Sequence, residues 1–235
     1  MKILAIDTSS RYLCLGVVNG KNLYEYRIDT GVALSRVLVP TIERVLLAAG
    51  MAVADIEYYA VGLGPGSFTA LRIGHAAIKA LAWANGKAVV GIATLQILAG
   101  YSQIPDGLVV PIVDAKRSLV YCGWYNKTAE GIRKVALDQL LTFDGFISGL
   151  KKIKSVHKEK KIMITGDGLT ACADRIKAML PGTILLEKDC WYPQPQSLIS
   201  LSVCQIHARK ITNAFGLEPI YLYPQECQIK TIKSL

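Results

Sequence analysis

Three short segments of the chain carry residue types and spacings that could hold an anion: Asp7-Thr8-Ser9, Gly64-Pro65-Gly66-Ser67 and Gly166-Asp167-Gly168. Each follows an apolar run, so each reads as the turn at the end of a strand. In the second, Gly64 and Gly66 open backbone conformations closed to other residues, and Pro65 fixes one dihedral between them. Ser67 or Thr69 can then cap the free amides of a helix that begins at once. Such a helix start attracts anions or holds a partner loop. It is also what any well-made strand-to-helix turn needs, and a glycine-rich turn alone does not separate the two readings. Asp7 is dual in the same way, because a carboxylate after a strand can orient a metal or a water, or cap its own turn. Thr8 and Ser9 could contact phosphate, although no Lys or Arg stands in that turn unless Arg11 reaches inward. Gly166-Asp167-Gly168 could do the same from the other side, or be a tight turn only.

For other chemistries the chain offers little. His75, His157 and His207 lack ligand-like spacing, and Cys14, Cys122, Cys172, Cys190, Cys204 and Cys227 show no short paired spacing. The cysteines read as reduced and mostly structural, and neither a metal site nor a nucleophile with its base is expected.

Elements must bring the turns together. The patterning predicts strands at 2–7, 12–18 and 23–28, the last two joined by Asn19-Gly20, the strongest short hairpin signal. Over 34–49 the apolar positions Leu34, Val37, Leu38, Thr41, Ile42, Val45, Leu46 and Ala49 follow helical spacing, and Gly50 closes the helix. Pro40 lies within it and predicts a kink or an irregular first turn. A strand at 58–63, the glycine loop, a helix at 68–85 rich in Gly74 and alanine, a strand at 88–92 and a helix from 94 complete the first half. After a break at Pro105 come strands at 108–113, 119–125 and 132–137, and a helix at 143–153. A strand at 161–165 then enters Gly166-Asp167-Gly168, and a helix follows at 169–180. The second half repeats the first, which predicts two α/β domains, 1–104 and 105–235, with a cleft between them.

Composition sets bounds. At 235 residues, 51% hydrophobic and 19% charged, the chain is folded throughout. Mean hydropathy is +0.33, yet no uncharged apolar run reaches the ~18 residues needed to span a bilayer. The acid at position 7 interrupts what a signal peptide would need, so a cytoplasmic protein with no membrane role is expected. The net charge of +9 divides into +3 over residues 1–100 and +6 over the rest. Six lysines and His157 face the single acid Glu159 between Lys151 and Lys161, as a solvated loop or a contact to a phosphate backbone. That stretch holds no aromatic residue for stacking on bases.

The strand–Asp7-Thr8-Ser9 start, the meander and the later Gly166-Asp167-Gly168 turn together resemble the actin, sugar-kinase and chaperone-ATPase superfamily. Its fold is two-lobed, with duplicated mixed-sheet α/β halves and flanking helices. Four further stretches resemble the bacterial TsaB (YeaZ) family more closely: Gly64-Pro65-Gly66-Ser67-Phe68-Thr69, Leu71-Arg72-Ile73-Gly74, Val113-Asp114-Ala115-Lys116-Arg117 and Pro219-Ile220-Tyr221-Leu222. The match is strong over 1–125 and diffuse beyond. The resemblance implies a role in making threonylcarbamoyladenosine in tRNAs that read codons beginning with A. The member would be a non-catalytic scaffold that pairs with a TsaD-type catalytic subunit and is joined by a TsaE-type ATPase, touching tRNA indirectly or weakly. Two metal-binding histidines of the catalytic paralogue match Thr94 and Leu98, which cannot ligate as imidazoles do. Where relatives read His-Ser or His-Thr, this chain has Leu34-Ser35, and Ala70 replaces a usual glycine. ATP or ADP at the cleft or at a subunit interface would use Asp7, Thr8, Ser9, Gly166, Asp167 and Gly168.

The first two helices are expected to form the partner surface, through Leu34, Val37, Leu38, Thr41, Val45, Arg72, His75 and Lys79. The same patch would serve a homodimer when the partner is absent. Two other classes stay open. One is an active enzyme of the same fold, an ATP-dependent phosphotransferase or a glycoprotease-like peptidase. The other is a direct RNA-binding module, favoured by charge but by no RNA motif.

Overall fold

Strand β1 (Lys2–Asp7) carries two apolar sets, Leu4 and Ile6 on one face and Ile3 and Ala5 on the other. Successive side chains of an extended chain point to opposite faces, and both sets are buried, so the sheet must be covered twice. In the computed structural model, which describes residues 1–101, 103–157 and 160–223, that is what surrounds it. Cys227, and Lys158 and Glu159 of the basic stretch, lie outside the described residues.

β1 pairs antiparallel with β2 (Tyr12–Asn19), and β2 turns at Gly20, with φ of +63°, into β3 (Asn22–Asp29). On its other side β1 pairs in parallel with β4 (Tyr58–Gly62), which pairs with β5 (Ala88–Ile92), giving the order β3-β2-β1-β4-β5. A second sheet is built from β6 (Gly107–Asp114), β7 (Leu119–Thr128), β8 (Gly131–Thr142), β9 (Ile162–Thr165) and β10 (Ile184–Leu185), in the order β10-β9-β6-β7-β8. In both, the first strand is central, its meander lies to one side and two parallel strands lie to the other. The duplicated mixed-sheet α/β architecture expected from the sequence is present.

Helices α1 (Leu34–Ala48) and α2 (Phe68–Ala84) cover the Leu4 and Ile6 face of the first sheet. Pro40 sits on the exposed side of α1 within an unbroken helix. The outer face of the second sheet carries Leu108, Val110 and Ile112. It is covered by Phe146 and Leu150 of α4 (Phe143–Val156) and by Leu169 and Ile176 of α5 (Leu169–Met179). Two further helices fill the space between the sheets. α3 (Thr94–Ala99) packs Leu95 and Leu98 with Val109, Tyr125 and Met163 of the second sheet. α6 (Pro195–His207) packs Leu198, Ile199 and Ile206 against Ile3, Ala5, Cys14 and Val90 of the first. The two helices meet where Ser197 Oγ donates to the Ile97 carbonyl at 2.5 Å. Five layers result: helices, sheet, the α3–α6 layer, sheet, helices.

The sequence patterning gave no sign of α6. It begins with Pro195 in its first turn, a favoured helix start, and buries Leu198, Ile199, Ser202 and Ile206 at helical spacing. Strands before residue 104 all belong to the first sheet and those after it to the second, while α3 and α6 each pack on the sheet of the other half. Among the described residues, no helix is long and apolar enough to cross a membrane.

Candidate functional site

The first two anion-competent turns form one interlocked unit, because three glycines each back onto one residue of Asp7-Thr8-Ser9. A Cβ on Gly62 would lie 1.8 Å from Asp7 Oδ2, one on Gly74 would lie 2.3 Å from Thr8 Oγ1, and one on Gly66 would lie 2.3 Å from the Ser9 carbonyl oxygen. Only glycine lets β4, the loop and α2 approach this closely. Hydrogen bonds complete the contact. Ser67 N–H donates to the Ser9 carbonyl at 2.8 Å, and Thr8 Oγ1 donates to the Ala70 carbonyl at 2.8 Å. The Ser67 hydroxyl accepts from Ala70 N–H as the cap of α2.

Asp7 is fully buried at the centre. Its Oδ1 accepts from Ser9 N–H at 2.8 Å and Ser9 Oγ at 2.6 Å, and its Oδ2 accepts from Thr94 Oγ1 at 2.6 Å. Thr94 Oγ1 in turn accepts from Gly64 N–H at 3.1 Å. Burial pushes the Asp7 carboxyl above its ordinary value, against the pull of the Ser9 and Thr94 donors. With both carboxylate oxygens engaged and Thr8 and Ser9 closed under the glycine loop, the turn as folded does not fit a phosphate.

The third turn is also directed inward. Gly166, with φ of +110°, lies so close to the Ile112 carbonyl that a Cβ would sit 2.0 Å from it, and Gly168 N–H donates to the same oxygen at 3.2 Å. Asp167 Oδ1 accepts from Asp114 N–H at 3.0 Å. Burial raises the Asp167 carboxyl and the Asp114 charge raises it further, with the Asp114 N–H pulling it down. For Asp114 burial pulls upward too, but the Lys116 ammonium and N–H outweigh it and hold the carboxyl low. Two acids facing the turn oppose a phosphate there.

The eight residues expected at a partner surface divide. Leu34, Leu38, Thr41, Val45 and His75 are buried within the chain itself, the apolar face of α1 lying on the first sheet. Helical spacing identifies a buried stripe without saying what buries it, and here the chain's own sheet does. Arg72 is exposed, and Val37 and Lys79 are half-buried. The outward side of α1 instead carries Arg36, Val39, Arg44 and Leu47, and that of α2 carries Ala76 and Ala80. Leu47 is 81% exposed.

Sequence patterning did not find the contacts that join the lobes. Ile220 N–H donates to the Leu63 carbonyl at 2.8 Å and the Tyr223 hydroxyl donates to the Ala115 carbonyl at 2.7 Å, so one short segment straps the first lobe to the second. Below it, Phe68, Tyr121, Tyr221 and Tyr223 line a cavity of about 290 Å³, and the Arg72 guanidinium lies 3.9 Å from the centre of the Phe68 ring. Beside Ala115, Lys116, Arg117 and Ser118 all have positive φ, of 64°, 53° and 60°.

Comparison with known proteins decides the family. The family model described as TsaD, tRNA N6-adenosine threonylcarbamoyltransferase, matches residues 30–209. A tRNA threonylcarbamoyladenosine biosynthesis protein TsaB from Buchnera aphidicola is 30% identical over 71% of this chain and 78% of its own length. The chain is a TsaB (YeaZ) member of the TsaD family. The TsaB protein of Bacillus subtilis is 28% identical over 100% of this chain and 99% of its own length. A Pseudomonas aeruginosa structure described as similar to peptidase YeaZ shares the fold, with a TM-score of 0.80 and 22% identity over 94% of this chain and 99% of that one.

Within this TsaB chain Thr94 and Leu98, the two positions that the sequence resemblance set against metal-binding histidines, do not fit a metal. Thr94 is locked between Asp7 and Gly64, and Leu98 is buried in the core beneath the second sheet. Neither can supply a ligand without dismantling its surroundings.

Proposed function

We propose that this chain is a non-catalytic subunit in the formation of threonylcarbamoyladenosine in tRNA, pairing with a TsaD-type catalytic subunit that a TsaE-type ATPase joins. The observation that carries the reading is the Thr94–Asp7–Gly64 contact, which engages the hydroxyl at one of the two positions that resemble metal-binding histidines. The names of the full-length TsaB relatives support the pathway. The partner surface lies on the outward side of α1 and α2, through Val39, Leu47, Ala76 and Ala80, rather than on the stripe that faces the sheet. The small residues of α2 let a second helix pair approach closely, and in the partner's absence a second copy of the chain covers the same side. Nucleotide, where the complex uses it, binds outside the two inward-directed turns.

Co-purification with the TsaD-type protein of the same host, scored by light scattering and by tRNA threonylcarbamoylation with and without this chain, tests the proposal. A stable heteromer whose activity depends on this chain is expected. Leu47→Asp should leave the fold intact and abolish the heteromer, because Leu47 is 81% exposed, whereas Val45→Asp, at a site 7% exposed, should unfold the chain. Full heteromer formation by Leu47→Asp would move the partner surface off α1.

A further inference from the structure

On the flank of α2 away from α1, the chain from Ile211 to Phe215 runs beside the edge strand β5, held by a bridge between Val89 and Thr212. Between this segment and the end of α2 lies a groove of about 440 Å³ with Trp83, Lys87, Ile211 and Phe215 in its walls, continuous with a second hollow of about 250 Å³ reached by Lys79. Trp83 and Phe215 belong to both hollows and are 69% and 75% exposed. Two large rings exposed side by side in one hollow make a contiguous apolar patch, the kind of surface that marks an interaction site.

The charge around the groove is mostly positive, with Glu57 beside Lys87 across the start of β4 and β5 and Glu218 just beyond Phe215. Lys79 and Lys87 line it, and Arg209 and Lys210, both exposed, lead into Ile211. Among the described residues none of these four cations has a carboxylate within ion-pair distance. The segments that build the groove lie in stretches without any acid, 58–105 and 190–217, and the nearest acid in sequence is Glu218. A protein partner would meet four cations here with no direct ion pair. A ligand with flat rings and a negative backbone would satisfy both the rings and the charges.

We propose that this groove binds single-stranded RNA, with unpaired bases stacked on Trp83 and Phe215 and the phosphates facing Lys79, Lys87, Arg209 and Lys210. Duplex RNA is excluded, because its bases present no free faces. The site does not depend on the catalytic pairing proposed above and exists in the isolated chain.

Titration of the full chain with a short fluorescein-labelled oligouridylate tests it. Affinity should fall with salt with a logarithmic slope of about −3, as four phosphate contacts on a single strand require. Trp83→Ala should weaken binding about tenfold, and Trp83→Phe, which keeps a stacking ring, should retain most of it. RNA should quench tryptophan fluorescence in the natural chain and not in Trp83→Phe, since Trp124 is 1% exposed and Trp191 lies at the opposite lobe. Unchanged affinity in a Trp83→Ala/Phe215→Ala double variant would overturn the proposal, as would equal competition by duplex RNA. Pull-down with the TsaD-type subunit, run on the same variants, separates the two readings. Loss of that partner with unchanged RNA affinity gives the groove to protein and overturns the RNA assignment, while RNA binding that persists in Leu47→Asp supports it.

Discussion

Asp7 accepts three hydrogen bonds in a fully buried site, and its removal would leave the Ser9 N–H, the Ser9 hydroxyl and the Thr94 hydroxyl without an acceptor. Asp7→Ala should therefore cost about 3 kcal/mol, read as a fall in the urea midpoint, whereas a catalytic acid removed from an open cleft would leave stability unchanged or improved. His75 makes a second prediction. Its Nε2 meets the Gly62 carbonyl at 3.2 Å, which requires the N–H on that nitrogen, and Nδ1 has no partner among the described residues. Burial holds the imidazole below its ordinary pKa of 6.5, with the Gly62 carbonyl opposing and Lys79 adding to the shift. The folded chain thus favours the neutral ring. Stability from this preference is complete above the ordinary pKa and declines as pH falls below it, because the unfolded chain takes up the proton first. Between about pH 7 and pH 5 the natural chain should lose more stability than His75→Gln in paired urea titrations. Equal losses would place the proton elsewhere.

Among the elements, α2 reverses the usual rule for glycine. Gly→Ala within a helix ordinarily stabilises by roughly 1 kcal/mol. At Gly74 the new methyl would meet Thr8 Oγ1, so Gly74→Ala should destabilise, and Thr8→Ala in the same chain should recover part of the loss, a coupling visible in a double-mutant cycle. The turn between β6 and β7 offers the opposite change. Arg117 is exposed with φ of 53°, so Arg117→Gly should raise the thermal midpoint by relieving about 1 kcal/mol of backbone strain. The strands and helices as far as Met179 were readable from residue periodicity and turn chemistry, because their faces repeat regularly and glycine or Asn-Gly ends them. The site was less legible. Residues 61–74 stand out in sequence, but nothing local says that Gly62, Gly66 and Gly74 exist to receive Asp7, Ser9 and Thr8, since that pairing joins segments some sixty residues apart in the chain. Likewise an apolar stripe on α1 announces burial and leaves its cover unnamed, which is why Leu34, Leu38 and Val45 face the sheet and not a partner.

Across the whole molecule, the α3–α6 layer ties each half to the other. A fragment ending at residue 104 would keep the first sheet but lose α6, leaving the surface of Ile3, Ala5, Cys14, Ala60 and Val90 without Leu198, Ile199 and Ile206 and with Ile97 of α3 as its remaining cover. Such a fragment should bind a hydrophobic dye and show poor proton chemical-shift dispersion, and a peptide spanning 195–209 added in trans should reverse both. A well-dispersed fragment without the peptide would mean that the first lobe folds alone. The same crossing governs how the chain emerges during translation. The ribosome delivers β1 well over a hundred residues before α6, so the first sheet waits through that stretch of synthesis with one apolar face short of its cover. Nascent chains stalled before residue 207 would be natural clients for a holdase that shields such surfaces.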